Sequence, residues 1–261
     1  MFKILEYIEH IEALDSMKRY PKELFYIGNV SLLKRPKVSI VGSRRPIGYT
    51  KEWTQKLAKG LSSRGVVVVS GGAMGVDAVA HTGAGAENSI CVSANGLDIL
   101  YPKVNRTLLE SIYKRGLAIS QFPKGFTPTP WSFVVRNELV VALGDILIIT
   151  QADLNSGSMR SAEFALKMGK KIYVLPHRLN ESLGTNSLLS QSLAEPILDI
   201  DSFCSKFGVI PKNSAIERDE FFYFCQKSPT LDEAIAKFGD RVYEAELDGV
   251  IKIDNGIINL V

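Results

Sequence analysis

Short apolar runs rich in Val and Ile alternate along this chain with segments of helical periodicity. The runs are too short and too β-branched for helices, and they are typical of buried parallel strands. They occupy Val38–Val41, Val66–Ser70, Ile90–Val92, Leu117–Ser120, Ile146–Ile149 and Lys171–Leu175. The helical segments occupy Thr50–Arg64, a stretch ending at about Ala84, Arg106–Arg115, Trp131–Leu143 and Ser158–Met168. This alternation predicts an α/β fold with a doubly wound, mainly parallel sheet, whose ligands bind beyond the carboxyl ends of the strands.

The loop after the first of these strands has the composition of an anion site. Gly42 lets the backbone turn sharply and approach a ligand, and Ser43 follows it with a hydroxyl group. Arg44 and Arg45 add fixed positive charge and forked hydrogen-bond donors, which suit phosphate. We predict a phosphate-binding loop here. Arg45 is ranked above Arg44, because one of two adjacent side chains is expected to point inward.

Two further loops reach the same edge of the predicted sheet. They contribute the candidate anion-binding residues Gly71, Gly72, Gly157, Ser158 and Arg160. Either loop alone has an ordinary explanation, because parallel sheets carry glycine at strand-to-helix turns and small polar residues cap helices. The first two loops together, one with paired arginines, are hard to explain by packing alone. The chain has neither the G-x-G-x-x-G fingerprint nor the P-loop motif, which removes the usual signals of NAD binding and ATP hydrolysis.

Two aromatic residues and an arginine lie in the helical segment that begins at Trp131. Trp131 and Phe133 can stack on nucleobases, and Arg136 and Asn137 place polar groups in the same region. Burial against the sheet is the commoner role for an aromatic residue in an amphipathic helix, and that alternative stays open.

Signs of catalysis are few. His10, His81 and His177 are far apart in sequence, and none pairs with an evident nucleophile. We expect His177, which follows a strand, to be the most exposed of the three. Asp77 lies beside the second glycine loop, where we favour a bracing role over that of a general base. No spacing of His, Cys and carboxylate residues suggests a metal, and we expect no cofactor.

Cysteine usage and the absence of long apolar runs bear on the compartment. Cys91, Cys204 and Cys225 are widely spaced, which indicates a reducing cytoplasm and argues against a disulfide framework. The first residues mix charged with apolar side chains, so we expect no signal peptide. No apolar run reaches the roughly 18 residues of a membrane span. We therefore expect a cytoplasmic protein with no membrane partner.

Charge divides the chain into two parts. Residues 216–261 hold five basic and ten acidic residues, a net charge of −5, whereas residues 1–215 hold 26 basic and 18 acidic residues, a net charge of +8. The larger part suits an anionic partner, and the smaller part does not.

The same division predicts the domains. We expect a short lead-in at residues 1–35, the α/β domain at 36–210, a linker at 211–214 and a small domain at 216–261. Three short helical patterns and a β-hairpin turned at Asn255-Gly256 make this last domain winged-helix-like.

In order along the chain, these motifs resemble the DNA processing protein A family. The matching runs include Val41–Arg45, Ser70–Asp77 with Ala80-His81, Ser120–Pro123, Arg136-Asn137, Ser156–Ser158 and Gly184–Asn186. The resemblance implies an extended Rossmann-like domain that binds single-stranded DNA, protects incoming DNA and forms homodimers. It also implies loading of the RecA recombinase in natural transformation and recombination, with no catalytic activity.

Several positions depart from the family pattern. Glu138 stands where a second arginine is common, which predicts a weaker basic rim. Met159-Arg160-Ser161 stands where Leu-Ile-Thr is frequent, so Arg160 adds a candidate phosphate contact. The alternative function is that of a nucleoside-monophosphate phosphoribohydrolase. Its Pro-Gly-Gly-x-Gly-Thr-x-x-Glu loop resembles the stretch that ends at Glu163, which lacks the Pro-Gly-Gly. The acidic C-terminal domain is predicted to contact proteins rather than DNA.

Overall fold

The structure is a computed structural model that describes residues 2–208, 220–247 and 250–260. The chain divides into two compact units, Met1–Val209 and Ile210–Val261. The linker predicted at residues 211–214 lies outside the described residues. None of the helices in the described part of the chain combines the length and the apolar character needed to cross a membrane.

A nine-stranded sheet forms the centre of the first unit. Its strands are β1 (Leu5–Glu6), β2 (Phe25–Gly28), β3 (Lys37–Val41), β4 (Val67–Ser70), β5 (Ser89–Ser93), β6 (Leu117–Ser120), β7 (Ile146–Ile149), β8 (Ile172–Val174) and β9 (Glu195–Pro196). They lie in the order β1-β2-β6-β5-β4-β3-β7-β8-β9, and all pairs from β6 to β9 are parallel. The chain builds outward from β3 first to one side and then to the other. This places the switch point between β3 and β7.

Helices cover both faces of this sheet. They are α1 (Gly48–Ser62), α2 (Val76–Ala84), α3 (Arg106–Arg115), α4 (Pro130–Leu143), α5 (Gly157–Lys167), α6 (Leu183–Ser190) and α7 (Ile200–Ser205). Val38 and Ile40 pack against α1 and α2 on one face, whereas Val67 and Val69 share a core cluster with α4 and α5 on the other. Successive strand residues point to opposite faces, so strands covered on both sides are apolar throughout. The predicted doubly wound, mainly parallel α/β fold is confirmed.

Residues 1–35 do more than the predicted lead-in. Strand β2 pairs antiparallel with β6, and β1 pairs antiparallel with β2, so the segment extends the main sheet by two strands. Ile11, Leu14 and Met17 are buried in the same core cluster as α4 and α5. The partner of β2 lies about ninety residues later in the chain, and a pairing at that distance leaves no local periodicity to detect.

The described residues of the second unit form three helices followed by a hairpin, as predicted. The helices are α8 (Glu220–Cys225), α9 (Leu231–Phe238) and α10 (Arg241–Leu247), and the strands are β10 (Ile251–Asp254) and β11 (Ile257–Leu260). Asn255 and Gly256 have φ angles of 51° and 77°, the left-handed values that a two-residue hairpin turn of type I′ requires. Phe221, Ala234 and Ile258 lie in its separate apolar core.

Candidate nucleic-acid interface

A cavity of about 610 Å³ opens at the carboxyl ends of the central strands. The loops after β3 and β4, the amino-terminal half of α4 and the start of α5 form its walls. The cavity therefore lies at the switch point of the sheet, where the loops of neighbouring strands diverge and leave room for a ligand. Its volume falls in the range of ordinary ligand pockets.

The loop after β3 is fixed by its two neighbours. A Cβ on Gly42 would meet the Val76 side chain at 2.7 Å, so only glycine fits this approach to α2. The Ser43 N–H donates to the Gln151 carbonyl at 2.8 Å, and the Ser43 carbonyl accepts from the Val76 N–H at 3.0 Å. The Arg45 N–H donates to the Ser43 hydroxyl. Since these backbone N–H groups are used inside the protein, the anion-binding capacity of the loop rests mainly on side chains.

The two arginines of this loop point in different directions. Both side chains are exposed, but Arg44 lines the cavity and Arg45 is not among the lining residues. The arginine at the cavity wall is therefore Arg44, although the sequence ranks Arg45 above it as a phosphate contact. The Arg44 guanidinium carbon lies 5.1 Å from the centre of the Phe133 ring, a cation–π contact that orients the guanidinium.

Phe133 lines the cavity and is partly exposed. Its ring contacts a second cation as well as Arg44, since the guanidinium carbon of Arg136 is 5.7 Å from the ring centre. The Tyr101 ring lies 6.1 Å away at an interplanar angle of 50°. Phe133 is thus held by its neighbours with part of its ring facing the cavity.

Arg136, a predicted DNA-binding residue, lines the cavity but is only 5% exposed. Its Nη1 donates to the Gly71 carbonyl and, at 3.1 Å, to the Val92 carbonyl, and its Nε donates to the Asn137 side chain at 3.0 Å. A Cβ on Gly71 would overlap this guanidinium. Arg136 therefore supports the loop after β4 from within, a role that its charge and aromatic neighbourhood in the sequence did not indicate.

A buried carboxylate accompanies Arg136. Asp77 is 7% exposed and accepts a hydrogen bond from the Ala73 N–H at 3.3 Å, which agrees with a role in bracing the loop. Burial raises the pKa of the Asp77 carboxyl, and the charge of Arg136 acts in the opposite direction. Burial likewise lowers the pKa of the Arg136 guanidinium. The two groups stabilise each other's charged form.

Gly72 does not line the cavity. Its φ angle is +68°, which favours glycine, and a Cβ here would meet the Cys91 sulfur at 2.7 Å. The second glycine of the predicted binding loop is thus required by backbone conformation and packing.

The third loop joins the cavity at the start of α5. Gly157, Ser158 and Arg160 line it together with Asn137, whose Nδ2 donates to the Gly157 carbonyl at 3.5 Å. Ser156 caps the helix, because its side chain accepts from the Met159 N–H. The ordinary capping role and a place in the cavity wall therefore coexist in one loop. The amino-terminal end of α5 also gives the wall a partial positive charge.

The structure also locates the residues considered for catalysis. The His177 side chain is buried, contrary to the predicted exposure, and its Nε2 lies 2.7 Å from the Thr150 carbonyl. His10 is the exposed histidine, paired with Asp15. Glu163 is exposed on α5 and is not among the lining residues of the cavity. Within the described residues, no group of three or more His, Cys, Asp and Glu side chains is placed to hold a metal ion.

Several residues of the cavity wall were not identified from the sequence. They include Pro128, Thr129, Pro130, Val134, Val140 and Asp153. Helical spacing contained a usable signal, because Pro130, Val134 and Asn137 share one face of α4 with Phe133. The position of the preceding loop could not be read from periodicity.

Fold and cavity together define a Rossmann-like α/β protein with an arginine-lined pocket at the switch point of its sheet. Residues 4–208 match the family described as DNA recombination-mediator protein A, and the chain belongs to this family. The resemblance noted from the motifs is confirmed.

Individual relatives support this assignment. Protein Smf of Synechocystis sp. is 33% identical over 199 residues, which cover 73% of this chain and 50% of that protein. A structure of DNA processing protein A from Helicobacter pylori, which concerns that protein's single-stranded DNA binding mode, is 44% identical, with a TM-score of 0.77 over 78% of this chain and 95% of that one. The X-ray structure of DNA processing protein A from Streptococcus pneumoniae is 30% identical, with a TM-score of 0.73 over 80% of this chain and 75% of that one. The chain spans about half to three fifths of the length of the curated relatives it matches.

Proposed function

We propose that this chain binds single-stranded DNA in the cavity at the switch point. The observation that carries the proposal is the Arg44 guanidinium held over the Phe133 ring, 5.1 Å from its centre, at the cavity wall. This pair offers a charged fork for a phosphate directly beside an aromatic face for a base. A nucleotide carries both groups, joined by one sugar.

The aromatic group favours a single strand over a duplex. A base inside a duplex is stacked and paired, so its face can reach Phe133 only after it leaves the stack. In a single strand the same contact needs no unpairing. Stacking is also tolerant of sequence, because every base has a π-face.

The opposite wall of the cavity suits the phosphates of such a strand. Arg160 and the Ser158 hydroxyl lie at the amino-terminal end of α5, where the helix dipole favours an anion. Arg44 and Arg160 are exposed, so their charges are available to a strand that lies across the opening. Phosphate contacts of this kind set affinity without reading sequence.

We extend the proposal to recombination. A protein of the recombination-mediator family that holds single strands is suited to protect incoming DNA and to load the RecA recombinase on it during natural transformation. A homodimer would place two such cavities on one strand. Light scattering of the purified chain and RecA filament assembly on strands coated with it test these two extensions.

Binding rather than catalysis is the proposed role of the cavity. Its buried carboxylate, Asp77, is held by the Ala73 N–H and by the charge of Arg136. His81 is fully buried, and burial lowers its pKa to about 4. Glu163, the residue on which a phosphoribohydrolase would depend, is exposed on α5 and does not line the cavity. No observation favours that alternative function.

Fluorescence anisotropy with labelled oligo-dT and a duplex of equal length tests the proposal. We expect the single strand to bind more tightly, and a nucleoside monophosphate to compete weakly and to survive incubation intact. Arg160→Ala should weaken binding, whereas Lys167→Ala, which removes the same charge from the far end of α5, should not. Tighter duplex binding, or hydrolysis of the monophosphate, would contradict the proposal.

A further inference from the structure

Helix α4 separates the cavity from a second concave surface. Pro130, Phe133 and Val134 line the cavity, whereas Trp131 and Val135 line a groove of about 330 Å³ on the other side of the helix. Residues four apart share a helix face, so Trp131 and Val135 form one wall of this groove. Cavity and groove are therefore separated by no more than the amino-terminal turns of α4.

The groove is aromatic. Trp131 is 63% exposed, a large fraction for the residue type with the greatest apolar area. Its indole packs at 74° against the Phe122 ring, 5.9 Å between centres, and Phe122 stacks on Phe126 at 4.5 Å and 15°. Phe122 is itself only 5% exposed. The indole thus rests on a fixed aromatic support while much of its surface faces solvent.

One basic residue lines the groove, and two more precede it in the sequence. Lys22 lines it, and the exposed residues Lys18 and Arg19 precede it in the same segment. The Lys18 N–H donates to the Glu138 carboxylate at 3.2 Å, which ties this segment to α4. Glu138, predicted from the sequence to weaken a basic rim, thus holds the backbone at Lys18 beside the helix. Glu23 is the acidic residue in the groove lining.

We propose that this groove is a second base-stacking subsite for single-stranded DNA, on the path of a strand that leaves the cavity over the start of α4. The inference rests on the proposed function of the cavity. Two observations identify the occupant, namely the adjacency of groove and cavity on one helix and the presence of Lys22 in the same groove as an exposed aromatic face. Together they match the stacking platform and charged track that single strands use.

Tryptophan fluorescence tests the subsite directly. The chain has two tryptophans, Trp53 and Trp131, so Trp53→Phe leaves Trp131 as the only one. Titration with oligo-dT of about fifteen nucleotides should quench its emission, because stacking on a base quenches indole. The dinucleotide dTpdT, which is too short to occupy both the cavity and the groove, should bind with little quenching.

Affinity provides the second readout. Trp131→Ala should weaken binding of the long oligonucleotide by about 5- to 150-fold and leave the short one unchanged. Trp131→Phe should restore most of the loss, since a phenyl ring also stacks. Melting temperatures of both variants should match the parent, because the indole is mostly exposed. Lys22→Ala should lower the salt slope for the long oligonucleotide by about 0.7.

The outcomes separate this inference from the proposed function. If oligo-dT binds in an Arg44-dependent manner but neither quenches Trp131 nor responds to Trp131→Ala, the subsite is wrong and the cavity proposal stands. If no oligonucleotide binds the parent protein, both are wrong. Quenching of Trp131 by a proline-rich peptide but not by oligo-dT would identify the groove as a peptide site and overturn the inference.

Discussion

The adjacent residues Arg44 and Arg45 provide a charge-matched test of the cavity. Both are exposed arginines of the loop after β3, and Arg44 lines the cavity while Arg45 does not. Arg44→Ala and Arg45→Ala each remove one positive charge, so general electrostatic attraction falls equally in the two variants. Any difference between them reports the direct contact with DNA.

The expected size of that difference follows from the contacts. A charge-assisted hydrogen bond to phosphate contributes about 1.5 to 3 kcal/mol, so Arg44→Ala should raise Kd about 10- to 150-fold. The cation–π contact with Phe133 is not added, because it is present in the free protein as well. Arg45→Ala should cost less than about 1 kcal/mol, as for an exposed charge without a fixed partner, or at most about fivefold in Kd.

Anisotropy titrations of labelled oligo-dT at four or five salt concentrations measure both effects. The log–log salt slope should flatten by about 0.7 more for Arg44→Ala than for Arg45→Ala, which corresponds to one phosphate contact on a single strand. Equal losses in the two variants, or a larger loss for Arg45→Ala, would refute the assignment of Arg44 to the DNA contact.

Four further predictions follow from the structure and the sequence. Phe133→Ala should weaken single-strand binding by about 1 to 3 kcal/mol with an unchanged salt slope; a large fall in melting temperature without a specific loss of affinity would instead indicate a core role. Arg136→Met should destabilise the fold by about 3 to 5 kcal/mol in chemical denaturation, because it leaves Asp77 and two carbonyls buried without their partner; adding Asp77→Asn should recover part of the loss. Burial lowers the pKa of His81 from 6.5 to about 4. As the pH falls, the unfolded state therefore binds a proton before the folded state does, and the free energy of unfolding should decrease by about 2 kcal/mol between pH 7 and pH 5. The same titration of His81→Gln should lack this contribution. Removal of residues 216–261 should leave single-strand affinity largely intact, as their net charge of −5 repels phosphate; DNA binding by that segment alone at physiological salt would show the opposite.

The sequence by itself determined the sheet and the place of its binding edge. The apolar runs from Val38 to Leu175 match six of the seven parallel strands within one or two residues at each end, and the loops that follow them hold most of the cavity wall. The prediction succeeded because a strand buried on both faces must be apolar throughout. The loops at the carboxyl ends of neighbouring parallel strands also lie at the same edge of the sheet. The helix periods and the Asn255-Gly256 turn are likewise local properties.

Only the tertiary structure decided which side chains reach the cavity. Arg44 and Arg45 are chemically identical in the sequence, and the backbone path between Gln151 and Val76 determines which of them lines the cavity. The charge of Arg136 predicts an exposed position, but its guanidinium is buried against the Gly71 carbonyl.

The same holds for residues whose partners are distant in sequence. Strand β2 pairs with the adjacent strand β6, and the buried His177 ring contacts the Thr150 carbonyl. Glu138 holds the backbone of Lys18, 120 residues earlier in the chain. Local patterns in the sequence show which faces of a helix or strand are buried. The role of a side chain depends instead on which distant atoms complete its hydrogen bonds, and those atoms come together only when the chain has folded.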